Sequence, residues 1–115
     1  LANKAYSYAE ISLGFSNTDY IPMSTSTFEL TDRLIVVGNG IGLNSDAFTI
    51  LKNGKTGVGI DNFETTTSDA ILQVNGNISA LLPSYLTHVA ADADTNLKTN
   101  DFYRLTTDRV VYQKP

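Results

Sequence analysis

Three short apolar segments near the middle of this chain each run into an asparagine–glycine pair. The pairs are Asn39-Gly40, Asn53-Gly54 and Asn75-Gly76. Asparagine and glycine tolerate positive φ, which the type I′ turn of a two-residue β-hairpin requires at both of its central positions. The spacing of the pairs is loose, but their repetition predicts short strands joined by tight turns, that is, a stack of short hairpins.

The strands themselves are predicted from alternation and from short apolar runs. They cover part of residues 1–14, then Arg33–Val37, Ala47–Leu51, Thr56–Ile60 and Ala70–Val74. Residues 15–32 are polar and contain Pro22, so we expect an edge segment or an ordered loop there. Gly57 and Gly59 would share one face of their strand, where a second backbone can approach closely.

The residue types favour the same fold class. The chain has 14 Thr, 10 Asn, 9 Ser and 8 Gly against 3 Glu and 5 Lys, which is typical of strands and turns rather than of helices. We therefore predict a mostly β protein. A β chain of 115 residues with many turns has difficulty closing its own core, and association with further copies is one remedy.

Charge and cysteine content exclude several classes of protein. Twelve acidic and 8 basic side chains give a formal net charge of −4, which disfavours non-specific binding to nucleic acid or to an anionic membrane. There is no cysteine, so disulfides and thiolate metal sites cannot hold the fold. No apolar run approaches the roughly 20 residues that span a bilayer, and we expect no membrane insertion. No signal-peptide pattern opens the chain and residue 1 is Leu, so we expect a fragment or a processed piece.

The last third of the chain changes character. Pro83 breaks the strand pattern, and the following Ser84 can cap a short helix over Tyr85–Asp92. A final hairpin is predicted from Asp101–Leu105 and Arg109–Gln113. The predicted division of the chain is into residues 1–80 and residues 81–115.

Two loops begin like a known ligand-binding motif, but each lacks residues that the motif requires. Gly38–Gly42 follows an apolar strand, as a dinucleotide-binding loop does, but the third fingerprint position is Leu43 and a strand follows in place of a long helix. Asp92–Asp94 could begin a calcium loop, yet the sixth and twelfth positions are Leu97 and Tyr103 where Gly and Glu are needed. A β-turn and a polar loop are the better interpretations.

Nothing in the sequence demands an enzyme. His88 is the sole histidine, and one chain offers it only Asp92 as a neighbour at helical spacing, although an axial residue of a threefold assembly would occur three times. There is no Gly-x-Ser-x-Gly motif and no Ser-His-Asp arrangement. Asp92 and Asp94 could serve a glycosidase, but solvated loop carboxylates are commoner. We therefore predict no catalytic residue, no cofactor and no metal.

Aromatic and arginine residues gather in the predicted final hairpin. They are Tyr103, Arg104, Arg109 and Tyr112. These residue types dominate recognition surfaces, and they stack on sugars and pair with carboxylates. Ordinary cross-strand pairing is the alternative interpretation.

Two parts of the sequence resemble trimeric surface fibres. Residues 3–10 (NKAYSYAE) resemble the head repeat of trimeric autotransporter adhesins, which marks each coil of a left-handed β-roll. The motifs Asp46–Gly54, Gly57–Gly59 and Leu72–Ile78 are similar to shaft segments of phage tail fibres and tail spikes, and residues 82–115 resemble the C-terminal ends of phage fibres. The single copy of the head repeat favours a phage fibre, or the fibre of a phage-like contractile injection system, over an adhesin.

The resemblance implies a homotrimer whose chains wind around one axis as a β-roll or β-helix, with residues 81–115 as a distal cap of a helix and a hairpin. The residues expected in the trimer core are Leu34, Val36, Phe48, Ile50, Val58, Ile60, Leu72, Val74 and Ile78. The implied function is attachment of a virion or phage-like particle to a glycan or outer-membrane protein of the host surface. A polysaccharide-degrading tail spike, a trimeric surface adhesin and a plain trimerisation module are the alternatives.

Overall fold

The computed structural model describes residues 3–79, 84–85, 88–99, 101–106 and 110–115. The chain divides into two compact units, Leu1–Ile78 and Ser79–Pro115. Strands make up 32% of the described residues and helix 6%, and no described helix has 7 or more residues. The protein is therefore mostly β, as the composition predicts.

The N-terminal unit is built on one five-stranded sheet whose strands follow the order of the chain. The strands are β1 Ile11–Phe15, β2 Arg33–Asn39, β3 Asp46–Leu51, β4 Thr56–Val58 and β5 Leu72–Val74. β2, β3 and β4 are antiparallel neighbours, whereas β1 is parallel to β2 and β5 is parallel to β4. The predicted stack of hairpins is thus wrong at both edges of the sheet, where neighbouring strands are parallel. Segments 16–32 and 59–71 each carry the chain back to the end of the sheet at which the preceding strand began, so the next strand runs in the same direction.

The turn between β3 and β4 is not the type I′ turn that its Asn-Gly pair predicts. Gly54 has a φ of +90°, but Asn53 is not among the residues of positive φ. The amide of Gly54 donates to the carbonyl of Leu51 and the amide of Leu51 to the carbonyl of Lys55, both at 2.9 Å, which makes a three-residue loop with glycine at its left-handed position. The amides of Asn53 and of its predecessor donate to carbonyls of segment 16–32, so contacts outside the turn select its type.

The interior of the N-terminal unit is largely polar. Its buried polar or charged side chains are Ser16, Asn17, Thr18, Asp32, Arg33, Asp46, Thr49 and Lys52, against Val36, Leu51 and Phe63 among the apolar ones. Buried polar groups need partners, and many of these link distant segments. Asn17, for example, donates to the carbonyl of Lys4 (2.7 Å) and accepts from the amide of the same residue (2.8 Å). The fold of this unit is therefore specified by directional bonds as much as by apolar packing.

The C-terminal unit combines a three-stranded sheet with a short helix. Its elements are β6 Ser84–Tyr85, α1 His88–Ala93, β7 Phe102–Leu105 and β8 Val111–Gln113. β7 and β8 are antiparallel, so the predicted final hairpin is present. The helix is shorter than predicted, since Tyr85 pairs with Leu105 in a parallel strand and α1 begins at His88. The predicted junction at Pro83 lies outside the described residues.

Candidate functional site

One face of the five-stranded sheet is almost entirely apolar. Directly paired residues of neighbouring strands point to the same side of a sheet, so the strand register defines rows of side chains across it. One row is Ile11, Ile35, Ile50, Thr56 and Leu72, and the next is Leu13, Val37, Phe48, Val58 and Val74. Phe15 extends the same side of β1. We call these eleven residues the apolar sheet face, and its single polar member is Thr56.

Much of the apolar sheet face is uncovered in the single chain. Ile11, Leu13, Phe15 and Leu72 are 51–57% exposed, although a strand side chain packed against a core would be buried. Monomeric proteins rarely expose a contiguous apolar surface of this kind, and those that do use it for binding or assembly. The apolar sheet face is therefore the candidate functional surface of the N-terminal unit.

The opposite face of the same sheet is closed by the chain itself. The row between the two apolar rows is Ser12, Val36, Thr49, Gly57 and Gln73. A Cβ on Gly57 would lie 2.6 Å from two ring atoms of Phe63, which belongs to a single 3-10 turn, Phe63–Thr65. A phenylalanine side chain of the same chain therefore occupies the space beside Gly57, in place of the second backbone that was predicted there. Gly59 has a φ of +67° and follows directly after β4, where this backbone conformation lets the chain turn out of the strand.

A buried arginine fixes which face is closed. The Arg33 side chain is fully buried at the start of β2, and its Nε and Nη2 both lie 2.9 Å from Oε2 of Glu64. Its Nη1 donates to the carbonyl of Thr18 (2.8 Å), and its Nη2 lies 3.6 Å from Oδ2 of Asp46. The guanidinium carbon stands 4.2 Å from the ring centroid of Tyr20. A slip of one residue in β2 would break all of these contacts, so they lock the register that leaves the apolar side open.

A tyrosine–carboxylate cluster supports the segment that resembles the adhesin head repeat. Oε2 of Glu10 accepts bonds from the amide of Tyr6 (3.0 Å), from the following amide (2.8 Å) and from the hydroxyl of Tyr20 (3.0 Å). The hydroxyl of Tyr6 donates to Asp19. Burial and this bond raise the pKa of Tyr6 to about 12, and burial also raises the pKa of Tyr20. Both hydroxyls therefore stay protonated near neutral pH and act as hydrogen-bond donors.

The predicted core residues fall into two groups. Phe48, Ile50, Val58, Leu72 and Val74 belong to the apolar sheet face. The remaining four lie elsewhere: Val36 is fully buried on the closed side, Leu34 lies at a β-bulge, Ile60 is half-buried beyond β4, and Ile78 is 71% exposed.

Five members of the apolar sheet face were missed: Ile11, Leu13, Phe15, Ile35 and Val37. The alternation of the first three was readable in the sequence.

Three of the four predicted tip residues are described, and these three do not form one surface. Tyr103 is 2% exposed and stacks on Tyr112 with ring centroids 5.7 Å apart, inside the small core of the C-terminal unit. Arg104 points to the other side of β7 and is exposed. Its neighbours on that side are Phe102 on the same strand and Val111 across the hairpin, which are 56% and 53% exposed.

We call Phe102, Arg104 and Val111 the outer hairpin face. Arg109 lies outside the described residues.

The described residues include no group of three His, Cys, Asp or Glu side chains that is placed to hold a metal ion. No helix in the described part of the chain is long and apolar enough to cross a membrane. Comparison with family models, curated proteins and solved structures finds no match for this chain.

Proposed function

We propose that this chain is one protomer of a homotrimeric fibre segment that attaches a phage or phage-like particle to a host-cell surface. The observation that supports the proposal is the apolar sheet face, which has ten apolar side chains among eleven and stays open while the chain closes the other side. Burial of this face against further copies would complete the core that one short β chain cannot complete alone.

The threefold symmetry and the fibre form come from the resemblance of residues 3–10, 46–78 and 82–115 to fibre proteins. In the proposed trimer the three apolar sheet faces meet around one axis as a β-roll, and the helix and hairpin of the C-terminal unit form the cap. The side closed by Arg33 then faces outward. This orientation agrees with the charges, because the ion pairs belong to the outer layer and the axis receives only Thr56 as a polar side chain.

The receptor contact is proposed for the C-terminal unit and involves no catalysis. The outer hairpin face presents an aromatic ring, a guanidinium and an aliphatic side chain together, a combination that binds acidic sugars and acidic protein surfaces. Tyr103 and Tyr112 contribute by stacking on each other on the opposite side of the hairpin, which stabilises it. Receptor binding by Arg109 stays a prediction from its sequence position.

Three measurements on the purified chain test the proposal. Light scattering should give the mass of a trimer, and a monomer at micromolar concentration would contradict the assembly. Arg104→Ala should reduce adsorption to host cells, whereas Lys55→Ala, which removes one positive charge from the exposed turn of the N-terminal unit, should not. Equal adsorption by both folded variants would exclude the outer hairpin face, and release of oligosaccharides from host glycans would favour the polysaccharide-degrading alternative.

A further inference from the structure

The three Asn-Gly pairs differ in whether the glycine N–H donates a hydrogen bond. Gly40 is buried and its N–H donates to the carbonyl of Phe15 at 2.9 Å. Gly54 is exposed, but its N–H donates to the carbonyl of Leu51 at the same distance. Gly76 is exposed, and its N–H meets no acceptor within the part of the chain that the structure describes. Only this third glycine nitrogen is thus unengaged among the three.

An asparagine followed by glycine can lose ammonia without any reagent other than water. The backbone nitrogen of the glycine attacks the side-chain carbonyl carbon, a C–N bond forms, and the bond to the amide nitrogen breaks. Ammonia leaves with the proton that the backbone nitrogen gives up. Water then opens the five-membered succinimide at either carbonyl and yields aspartate or isoaspartate. The attacking nitrogen must release its proton, so a hydrogen bond that holds this N–H in the fold slows the reaction.

We propose that Asn75 is the site of spontaneous deamidation in the folded chain, while Asn39 and Asn53 are protected. Asn75 is exposed, and its side chain makes one bond, from Nδ2 to the carbonyl of Gly59 at 3.1 Å on the protein surface. Asn53 is held twice, because its Oδ1 accepts from the amide of Lys55 (3.0 Å) and the following N–H is engaged in the turn. The proposal does not depend on the function or assembly proposed above.

The change would alter the chain directly after the edge strand β5. Aspartate at position 75 places a carboxylate beside the carbonyl oxygen of Gly59 and removes the donor that bonded to it. Isoaspartate also adds one carbon to the main chain between β5 and Ile78, the last residue of the N-terminal unit. The modification therefore weakens the end of β5, and the pairing of β5 with β4 has only three residues.

The test compares the three pairs within one folded molecule. The purified chain is incubated at pH 8 in water enriched in heavy oxygen, and the same protein unfolded in urea serves as the reference. Trypsin cleavage after Arg33, Lys52, Lys55 and Lys98 places the three pairs in three different peptides, so mass spectrometry measures each rate separately. Asn75→Gln should remove the signal from its peptide, and Asn53→Gln is the matched control that should leave it.

The expected result is a rate at Asn75 that folding hardly changes. Folding should slow Asn39 and Asn53 at least about fivefold, the factor that corresponds to one hydrogen bond of about 1 kcal/mol. Comparable folded-state rates at Asn53 and Asn75 would overturn the proposal, as would strong protection of Asn75 relative to the unfolded chain. Either result would show that glycine hydrogen bonding does not control the reaction in this protein.

Discussion

The change Leu13→Ser tests whether the apolar sheet face is an interface between copies. Leu13 lies in the middle of β1, pairs with Val37 and is 54% exposed in the single chain. Because more than half of the side chain is already in water, the substitution should change the free energy of unfolding of an isolated protomer by less than about 1.5 kcal/mol. In an assembly that covers the face, the same substitution removes burial that only the partners supply.

The effect on assembly can be worked from the exposed fraction. Full burial of a leucine side chain contributes about 1.5–3 kcal/mol, so burial of the exposed half contributes about 1 kcal/mol in each copy. Three copies lose about 3 kcal/mol together, which corresponds to a dissociation constant of the trimer weakened about 100-fold. The serine hydroxyl adds a further cost wherever it finds no partner at the axis.

Sedimentation equilibrium over a range of protein concentrations measures this constant. Leu43→Ser is the matched control, because Leu43 is 82% exposed in the loop between β2 and β3 and is not part of the apolar sheet face. We expect the Leu13 variant to dissociate at concentrations where the parent and the Leu43 variant stay trimeric. An unchanged dissociation constant for the Leu13 variant would refute the assignment of this face.

Three further predictions concern the N-terminal unit. Arg33→Met should destabilise the fold by about 3–5 kcal/mol in chemical denaturation, because it leaves the buried carboxylate of Asp46 and the largely buried carboxylate of Glu64 without their cation. Gly57→Ala should cost about 1–3 kcal/mol in the same assay, since its methyl group would overlap the buried ring of Phe63, and an unchanged midpoint would show that the ring can move. The pKa of Tyr6 is about 12 in the folded chain and 10 for a tyrosine in water, so the stability it contributes is complete below pH 10 and is lost as the pH rises from 10 to 12. Tyr6→Phe should flatten the pH dependence of the melting temperature in that window.

The strands were predictable because their signals are local. Short apolar runs and alternating residues placed β2, β3, β4 and β5 within a few residues of their bounds, and the tyrosine–arginine-rich end forms the predicted hairpin of β7 and β8. Residues 15–32 contain no strand beyond Phe15, which agrees with the ordered loop, one of the two alternatives predicted for this segment. These features depend on residue types and on periods of two, which a single sequence displays.

The side on which each residue of β2 lies was not predictable in the same way. Leu34–Val37 are four apolar residues in succession, and such a run has no alternation from which to read a face. The choice is made by Arg33, whose partners are 15 and 31 residues away along the chain. The prediction therefore assigned Val36 to the trimer core, whereas the register places Ile35 and Val37 on the apolar sheet face.

The two sides of this sheet contribute differently to the fold: the closed side fixes the strand register, and the open side carries apolar surface available for burial. Hydrogen bonds and buried ion pairs add little net stability, but their geometry is demanding, so the Arg33 cluster selects one register and one closed side. Apolar burial is strong and non-directional, and the chain leaves a large part of it unused on the apolar sheet face. In a protomer organised in this way, the polar contacts determine the strand register even though a large part of the possible apolar burial is not yet used. In the proposed trimer, the copies would supply the missing burial, and the polar cluster would already have determined which faces meet.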